Sequence, residues 1–404
     1  MSMLLADRGM VTSLLGRPGE YYVDAVSGSD SNSGTTRSAP LLTLATAKTK
    51  HGSSTQPAAI FVRAPQATPF REQFIWDKTV PLTIEPMGRE ASWFLYGSEK
   101  FTTGWTLGGS VWSRAVTGYA TGCNGVFVST LTDSDGNWKR LIENTATPTT
   151  PAAGEYGQSI VAGSGTIYVR LPADASANSN TIECAKRDYG MWARKAELVT
   201  TRYGRFYAAN VAGHRTGSTT GGEDGTTVTE NSEAWYCNVG GFATATGTWT
   251  SAKYFNCKAF GSINDGFNIH GGESGGAPTG TQLATLTNCE SAYNLDEGSS
   301  THDRASTTIT GGRFHHNGSG GIGDVGAGAS VISGVESDHN WRGATDSLTG
   351  AIGIYETRTG SITGCNAHDN PREGIKVAAT ASVTVSGNTS GTAAGNGLAD
   401  NLSA

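Results

Sequence analysis

Behind a glycine, short apolar and polar alternations recur through the second half of the chain. Gly266-Phe267-Asn268-Ile269-His270, Gly321-Ile322-Gly323-Asp324-Val325, Gly353-Ile354-Tyr355-Glu356-Thr357 and Gly374-Ile375-Lys376-Val377 each read as a short strand with two unlike faces. Period-two alternation turns Phe267, Ile269, Ile322, Ile354, Ile375 and Val377 inward and their neighbours outward. The same count also turns the carboxylates Asp324 and Glu356 inward, unless the register slips by one residue at those coils.

A series of asparagines gives the period at which these strands stack. Asn294, Asn317 and Asn340 are evenly spaced, and Asn370 follows after a longer gap, the same gap that separates Asn264 from Asn294. One coil is therefore about 23 residues, with occasional insertions of about seven. Five positions ahead of these asparagines stand Cys289, Gly312, Val335 and Cys365, and four positions after them Gly298, Gly321 and Gly374. Glycine there is expected to serve a tight corner that needs positive φ. Coils about 4.8 Å apart would align equivalent side chains into ladders, and buried asparagine amides can hydrogen-bond along one. The expected fold is all-β: a parallel β-helix whose coils run from roughly residue 190 to the C-terminus.

Composition agrees with an elongated, turn-rich architecture, since 56 of 404 residues are glycine and only 16% are charged. A net charge of -6 with scattered Lys and Arg excludes nucleic acid as a partner. The opening MSMLLADRGMVTSLLGRPG has no basic n-region, and Asp7 and Arg8 interrupt its leucine pairs. It reads as neither signal peptide nor membrane span, so no membrane insertion is expected. A short amphipathic helix at residues 2–15 fits it better, docking on another chain or capping the solenoid. The six cysteines form no CxxC pair, and Cys237, Cys257, Cys289 and Cys365 recur in similar contexts. They read as inward, unpaired positions on successive coils, in a protein folded in a reducing cytoplasm.

The segment Tyr21-Tyr22-Val23-Asp24 through Gly28-Ser29-Asp30-Ser31-Asn32-Ser33-Gly34-Thr35, followed by Ala39-Pro40-Leu41-Leu42-Thr43-Leu44, resembles the opening of pectate-lyase-like right-handed β-helix proteins. The resemblance implies a first strand, a glycine-rich turn and a capping helix. It does not fix chemistry, since that family holds lyases, hydrolases, epimerases and non-enzymatic spikes. Four parts follow: residues 1–18 as a docking or capping segment, 19–99 as first coils and cap, 100–185 as an inserted β-rich module with Trp105, Trp112 and Trp138, and 186–404 as the main β-helix. A second likeness lies in Asn264-Asp265-Gly266-Phe267-Asn268-Ile269-His270 and Asp296-Glu297-Gly298-Ser299-Ser300-Thr301-His302-Asp303, which resemble a feature of bacteriophage tailspike and tail-fibre β-helices. It implies a virion tail protein assembled in the host cytoplasm as a homotrimer. Such a protein would bind, and as a depolymerase cleave, a host cell-surface polysaccharide while meeting other tail proteins through its N-terminus. A non-enzymatic tail or baseplate component and a bacterial polysaccharide lyase or hydrolase are the alternatives.

Counting from the corner glycines, Asn268 and His270 point outward on one coil and Ser300 and His302 on the next, so the two imidazoles are expected one rung apart. Asp265, Asp296 and Glu297 stand in the preceding turns and Asp303 follows. Glycoside hydrolysis needs one carboxylic acid to protonate the leaving oxygen and one carboxylate as base or nucleophile. Asp296 or Glu297 suits one role and Asp265 or Asp303 the other, whereas a lyase would use His270 or His302 as base. The same residues can also serve structure alone, by bonding one another and adjacent turns along an exposed ladder.

A metal set of His270, His302 and a carboxylate has no supporting spacing, so neither metal nor cofactor is expected. Asn268, Ser300, Trp341 and Tyr355 are the substrate-binding candidates. Trp235, Tyr236, Trp249 and Tyr254 either stack on sugars or pack coils together. Phe314-His315-His316 and Asp338-His339 fall in a turn and read as solvated corners rather than ligands. Longer corner loops at 213–225, 271–282 and 342–352 line one side.

Overall fold

The computed structural model describes residues 19–88, 91–218, 225–272, 282–342 and 350–402. The expected helix at 2–15 lies outside the described residues, as do parts of the three corner loops. The chain winds as a right-handed parallel β-helix. Each full coil gives one strand to each of three parallel sheets. Among the described residues the first sheet has eleven strands, from Glu20–Asp24 to Ser382–Ser386. The second has eight, from Trp93–Tyr96 to Asn366–His368, and the third has ten, from Phe74–Trp76 to Asn401–Leu402. One coil runs through Leu283–Thr287, Glu290–Ala292 and Ser299–Thr301 before Ser306–Thr310 opens the next. Phe267, Ile269, Ile322, Ile354, Ile375 and Val377 all face the core.

At the start of the solenoid, the helix Leu44–His51 packs Leu44, Ala47 and His51 against the first coils. Thr43 caps it by accepting the Thr46 N–H, and the Glu72 carboxylate accepts the N–H groups of Leu44 and Ala45. This is the capping helix that the opening segment implies. Between Ser98 and Ala185 the chain leaves the coils and forms a separate eight-stranded, mostly antiparallel sheet with its own core around Tyr119, Tyr156 and Ile167. The module rests on an aromatic ladder outside the second sheet. Trp138 stacks on Tyr236 at 4.8 Å and 12°, and its backbone N–H donates to the Tyr236 hydroxyl. Tyr236 and Trp235 therefore pack the module, while Trp249 and Tyr254 lie in the solenoid core.

Corners follow rules that repeat from coil to coil. From the strand Val199–Arg202 onward, the exits from the first sheet bend at left-handed residues: Tyr203, Asn231, Asn256 and Asn288, then Gly311, Gly334, Gly364 and Gly387, all with φ between 51° and 67°, with Gly312 also positive after Gly311. The residue after the bend turns inward, which puts Cys257, Cys289, Val335 and Cys365 on one ladder. Cys237 does not belong to it. That thiol stacks instead above Ser262 and Asn294, at the next corner.

This next corner carries the asparagine ladder. Asn294 Nδ2 donates to Asn317 Oδ1 at 2.9 Å, Asn317 to Asn340 at 3.0 Å, Asn340 to Asn370 at 3.3 Å and Asn370 to Asn396 at 3.0 Å. Each side-chain oxygen also accepts the backbone N–H of the asparagine one coil earlier. Two expectations change. Asn396 is a further rung, and Asn264 is not one: Ser262 donates its backbone N–H to Asn294 Oδ1 in that place.

Glycines four positions past the rungs have a different reason from the expected positive φ. Gly266, Gly298, Gly321 and Gly374 are not left-handed. A Cβ on them would meet an asparagine amide of the next coil, 2.9 Å from Asn294 Nδ2, 2.8 Å from Asn317, 3.0 Å from Asn340 and 2.5 Å from Asn396 respectively. Close approach, not backbone torsion, selects glycine there.

Asp324 does point inward, and the register does not slip. Its Oδ2 accepts the Ser330 hydroxyl at 2.6 Å. The fully buried Arg358 donates to Ser330 Oγ and to the carbonyls of Ala305 and Val325, so Ser330 links the inward carboxyl to the buried guanidinium. Glu356 is exposed, contrary to the alternation. Its strand ends at Ile354, and Glu356 itself takes a left-handed bend with φ 58° that breaks the period of two.

Removing one ladder amide orphans groups on both neighbouring coils. Asn317→Ala should lower stability by about 3 kcal/mol, and Gly298→Ala by about 1–3 kcal/mol through its clash. Ser333→Ala, on the wetted face, should stay within about 0.5 kcal/mol. Chemical denaturation of the three variants checks this order.

Candidate active site

The two expected imidazoles do stack. His270 and His302 lie in parallel at 4.7 Å and 12°, just beyond the strands Asp265–Ile269 and Ser299–Thr301 of the third sheet. Asp303, in a left-handed bend, accepts from His270 Nδ1 at 3.1 Å, and Ser300 Oγ shares a hydrogen bond with His302 Nε2. Burial, then the neighbouring His270, lowers the His302 pKa, so this imidazole is neutral at pH 7. Tyr355 occupies the equivalent position three coils on from His270. It is buried, with its ring across Gly353 and its hydroxyl accepting the Gly350 N–H.

At the other end of the same strands stand Asp265, Asp296 and Glu297. One carboxylate oxygen from each lies within 4.8 Å of the others. Adjacent coils bring them together: Glu297 N donates to Asp265 Oδ1 at 3.2 Å, and Gly266 N donates to the Glu297 carbonyl at 3.1 Å. Asp265 is 1% exposed and Glu297 8%, while Asp296 is half-buried. The six ionisable candidates thus form two groups rather than one. The length of an extended strand separates Asp265 from His270, about 16 Å at about 3.3 Å per residue. Asn268 and Ser300 line the face between them and are almost wholly buried. Asn268 donates to Asp265, whereas Ser300 bonds His302.

Sequence reasoning missed the neighbours that shape the acid group. Ser319 Oγ, one coil beyond Asp296, donates to Glu297 Oε1 at 3.3 Å. Gly323 leaves room for the Glu297 side chain, which a Cβ there would meet at 3.1 Å. Both were accessible in principle: Ser319 follows Asp296 by the same interval that separates Asn294 from Asn317, and Gly323 is a glycine at an outward position of the alternation. Trp341, two coils on from Leu295 at this same corner, donates its backbone N–H to the Ser319 carbonyl and carries Arg372 over its ring at 5.2 Å. The inserted module borders the corner. A Cβ on Gly125 would touch Ile263, just ahead of Asp265, and Asp135 pairs with Arg342 at 2.7 Å.

Electrostatics set the three acids apart. Burial, then the charge of Asp296, raises the Asp265 pKa; burial, then Asp265 and Asp296, raises that of Glu297 further. Close carboxyls in a dry corner cannot all ionise, so Glu297 keeps its proton at neutral pH.

A sequence model of the family described as "Right handed beta helix region" matches residues 245–402. No curated protein matches the chain in sequence. Among solved structures the chain is similar to one described as "The complex structure of XylC with xylose", with a TM-score of 0.60 at 14% identity over 89% of this chain and 68% of that one. It is also similar to a "Glycoside hydrolase" (TM-score 0.47, 10% identity, 95% and 96% covered). A third is the GH136 lacto-N-biosidase from Eubacterium ramulus (TM-score 0.30, 11% identity, 92% and 67% covered). At 14% identity, the likeness to the first of these is one of fold.

The raised carboxyls have a measurable sign. The folded chain holds these protons more tightly than the unfolded chain, so their contribution is fully present below the ordinary carboxylate range and is lost as pH rises through the raised values. Glu297→Gln should remove much of that loss, making the variant more stable than the parent at pH 8 by on the order of 1 kcal/mol. Urea midpoints of both proteins at pH 5 and pH 8 measure the difference.

Proposed function

We propose that this chain is a polysaccharide depolymerase that hydrolyses glycosidic bonds at the corner holding Asp265, Asp296 and Glu297. The observation that carries the reading is a buried, protonated Glu297 within 4.8 Å of the more open carboxylate of Asp296. Glu297 is the general acid, giving its proton to the glycosidic oxygen as the bond to the anomeric carbon breaks. Asp296 attacks that carbon, and water later hydrolyses the glycosyl ester with Glu297 taking the proton back. The spacing favours this two-step course, since a water-seating pair stands about 6.5–9.5 Å apart. Asp265 is a positioning residue, buried beneath the pair and anchoring the Glu297 backbone. The similar structure described with xylose supports a saccharide ligand for this fold.

The likeness of residues 264–303 to phage β-helices supports placing this activity in a tailspike-like virion protein that acts on a host surface polysaccharide. On the same reading it assembles as a homotrimer and meets other tail proteins through residues 1–18. The neutral, stacked His302 favours one second reading, a lyase in which it abstracts a proton beside a uronic carboxylate.

Incubation with a panel of bacterial capsular polysaccharides and lipopolysaccharides tells these readings apart. Hydrolysis should give new reducing ends that fall by about 10²–10⁴-fold in Glu297→Gln, with comparable loss in Asp296→Asn and little change in His302→Ala. Unsaturated uronates lost in His302→Ala would establish the lyase. No product from any glycan, together with tight binding, would leave the corner a structural seam.

A further inference from the structure

Six of the eight histidines stand outside both groups above, and four of them, His315, His316, His339 and His368, stand at the exit from the second sheet. His315, Asp338 and His368 are in register on its outer ladder. The next residues, His316 and His339, take the same left-handed bend, φ 55° and 52°, and their rings stack at 4.9 Å and 6°. His315 Nδ1 lies 2.9 Å from His316 Nδ1, and His339 Nδ1 lies 2.8 Å from Asp338 Oδ2. One donor atom each from His316, Asp338 and His339 falls within 4.8 Å of the other two. Glu336, Asp338 and His368 form a second such group that shares Asp338.

Hydrogen bonding among these groups is a fragile reason for so much imidazole. Two ring nitrogens 2.9 Å apart satisfy each other only when one is a donor and the other a lone pair; a second proton makes the contact repulsive. Stacking His316 on His339 places another potential cation against the first. A Lewis acid that accepts imidazole lone pairs removes this conflict. Arg313 grips Asp338 with two hydrogen bonds, 2.8 and 2.7 Å, and His339 takes a third. A carboxylate has about four lone-pair sites, so the grip orients Asp338 and leaves it able to ligate. His339 is exposed and His316 half-buried, which gives an ion a way in.

We infer that His316, His339 and Asp338 bind a divalent transition-metal ion such as Zn²⁺, with His315 beside them as a fourth donor and third nitrogen. A nitrogen-rich set suits Zn²⁺, Ni²⁺ or Cu²⁺ and not Ca²⁺ or Mg²⁺, which take oxygen ligands. Zinc bonds of about 2.0–2.1 Å put tetrahedral donors about 3.4 Å apart. Donors that already lie within 4.8 Å of one another have only a short closure left to reach that separation. On this proposal the histidines act as ligands, where the sequence reads a solvated corner. It lies apart from the acid group and does not depend on the proposed hydrolysis.

The test is calorimetric titration of the chelator-stripped, tag-free chain with Zn²⁺, and in parallel with Ca²⁺. The expected result is saturable zinc binding, no calcium binding at this position, and a thermal midpoint that rises with zinc. His316→Ala and His339→Ala should each weaken zinc binding at least about tenfold, while His270→Ala with His302→Ala changes nothing. No zinc binding tighter than about 0.1 mM, or binding undiminished in a folded His316→Ala/His339→Ala double variant, overturns the inference. His339→Ala alone, at an exposed side chain, keeps the test valid if the double variant fails to fold.

Discussion

A buried amide on successive coils is the constraint on which the rest of this solenoid depends. An asparagine inside the stack must find donors and acceptors above and below, because an unsatisfied amide costs about 1–3 kcal/mol. The rungs from Asn294 to Asn396 meet that need with one another and with the backbone N–H of the preceding rung. The ladder therefore fixes which residue lies over which. It also helps to select glycine at Gly266, Gly298, Gly321 and Gly374, where the amide, together with a serine hydroxyl or a backbone carbonyl at the first three, takes the space of a Cβ.

Register at this corner has chemical consequences. Asp296 and Glu297 follow closely on Asn294, so holding Asn294 under Ser262 brings them against Asp265 of the coil before. Carboxyls are thereby forced together in a poorly hydrated place, which is unfavourable for folding and holds a proton on Glu297. The inserted module borders the same corner through Gly125 and Asp135. Stability supplied by the asparagines and the aromatic ladder offsets the strain of the acid group. Farther along, the same second corner gathers the imidazoles of His316 and His339, so one recurring bend presents two different chemistries.

Much of this was readable from sequence where a period was present. Even spacing revealed Asn294, Asn317 and Asn340, and alternation gave the inward ladder and the stacking of His270 on His302. Errors arose where spacing and geometry part company. Asn264 precedes Asn294 by the same long gap that separates Asn340 from Asn370, yet a coil of irregular length places Ser262 there instead. Cys237 shares a local context with the other thiols but follows a different bend. Glu356 obeyed the alternation only on paper, because its strand had already ended. Asp324 was inward after all, since a buried arginine from the next coil, invisible to local pattern, helps to hold its partner Ser330. The division of the candidate acids and histidines into two groups also escaped the sequence, which counts residues per coil but not the length of strand between its corners.

The sharpest test of the account is the anomeric configuration of the first sugar released, followed by proton NMR before mutarotation. Carboxyls as close as those of Asp296 and Glu297 predict a product that retains the configuration of the substrate. Inversion would contradict the account, because it requires a water between carboxylates farther apart than this corner allows.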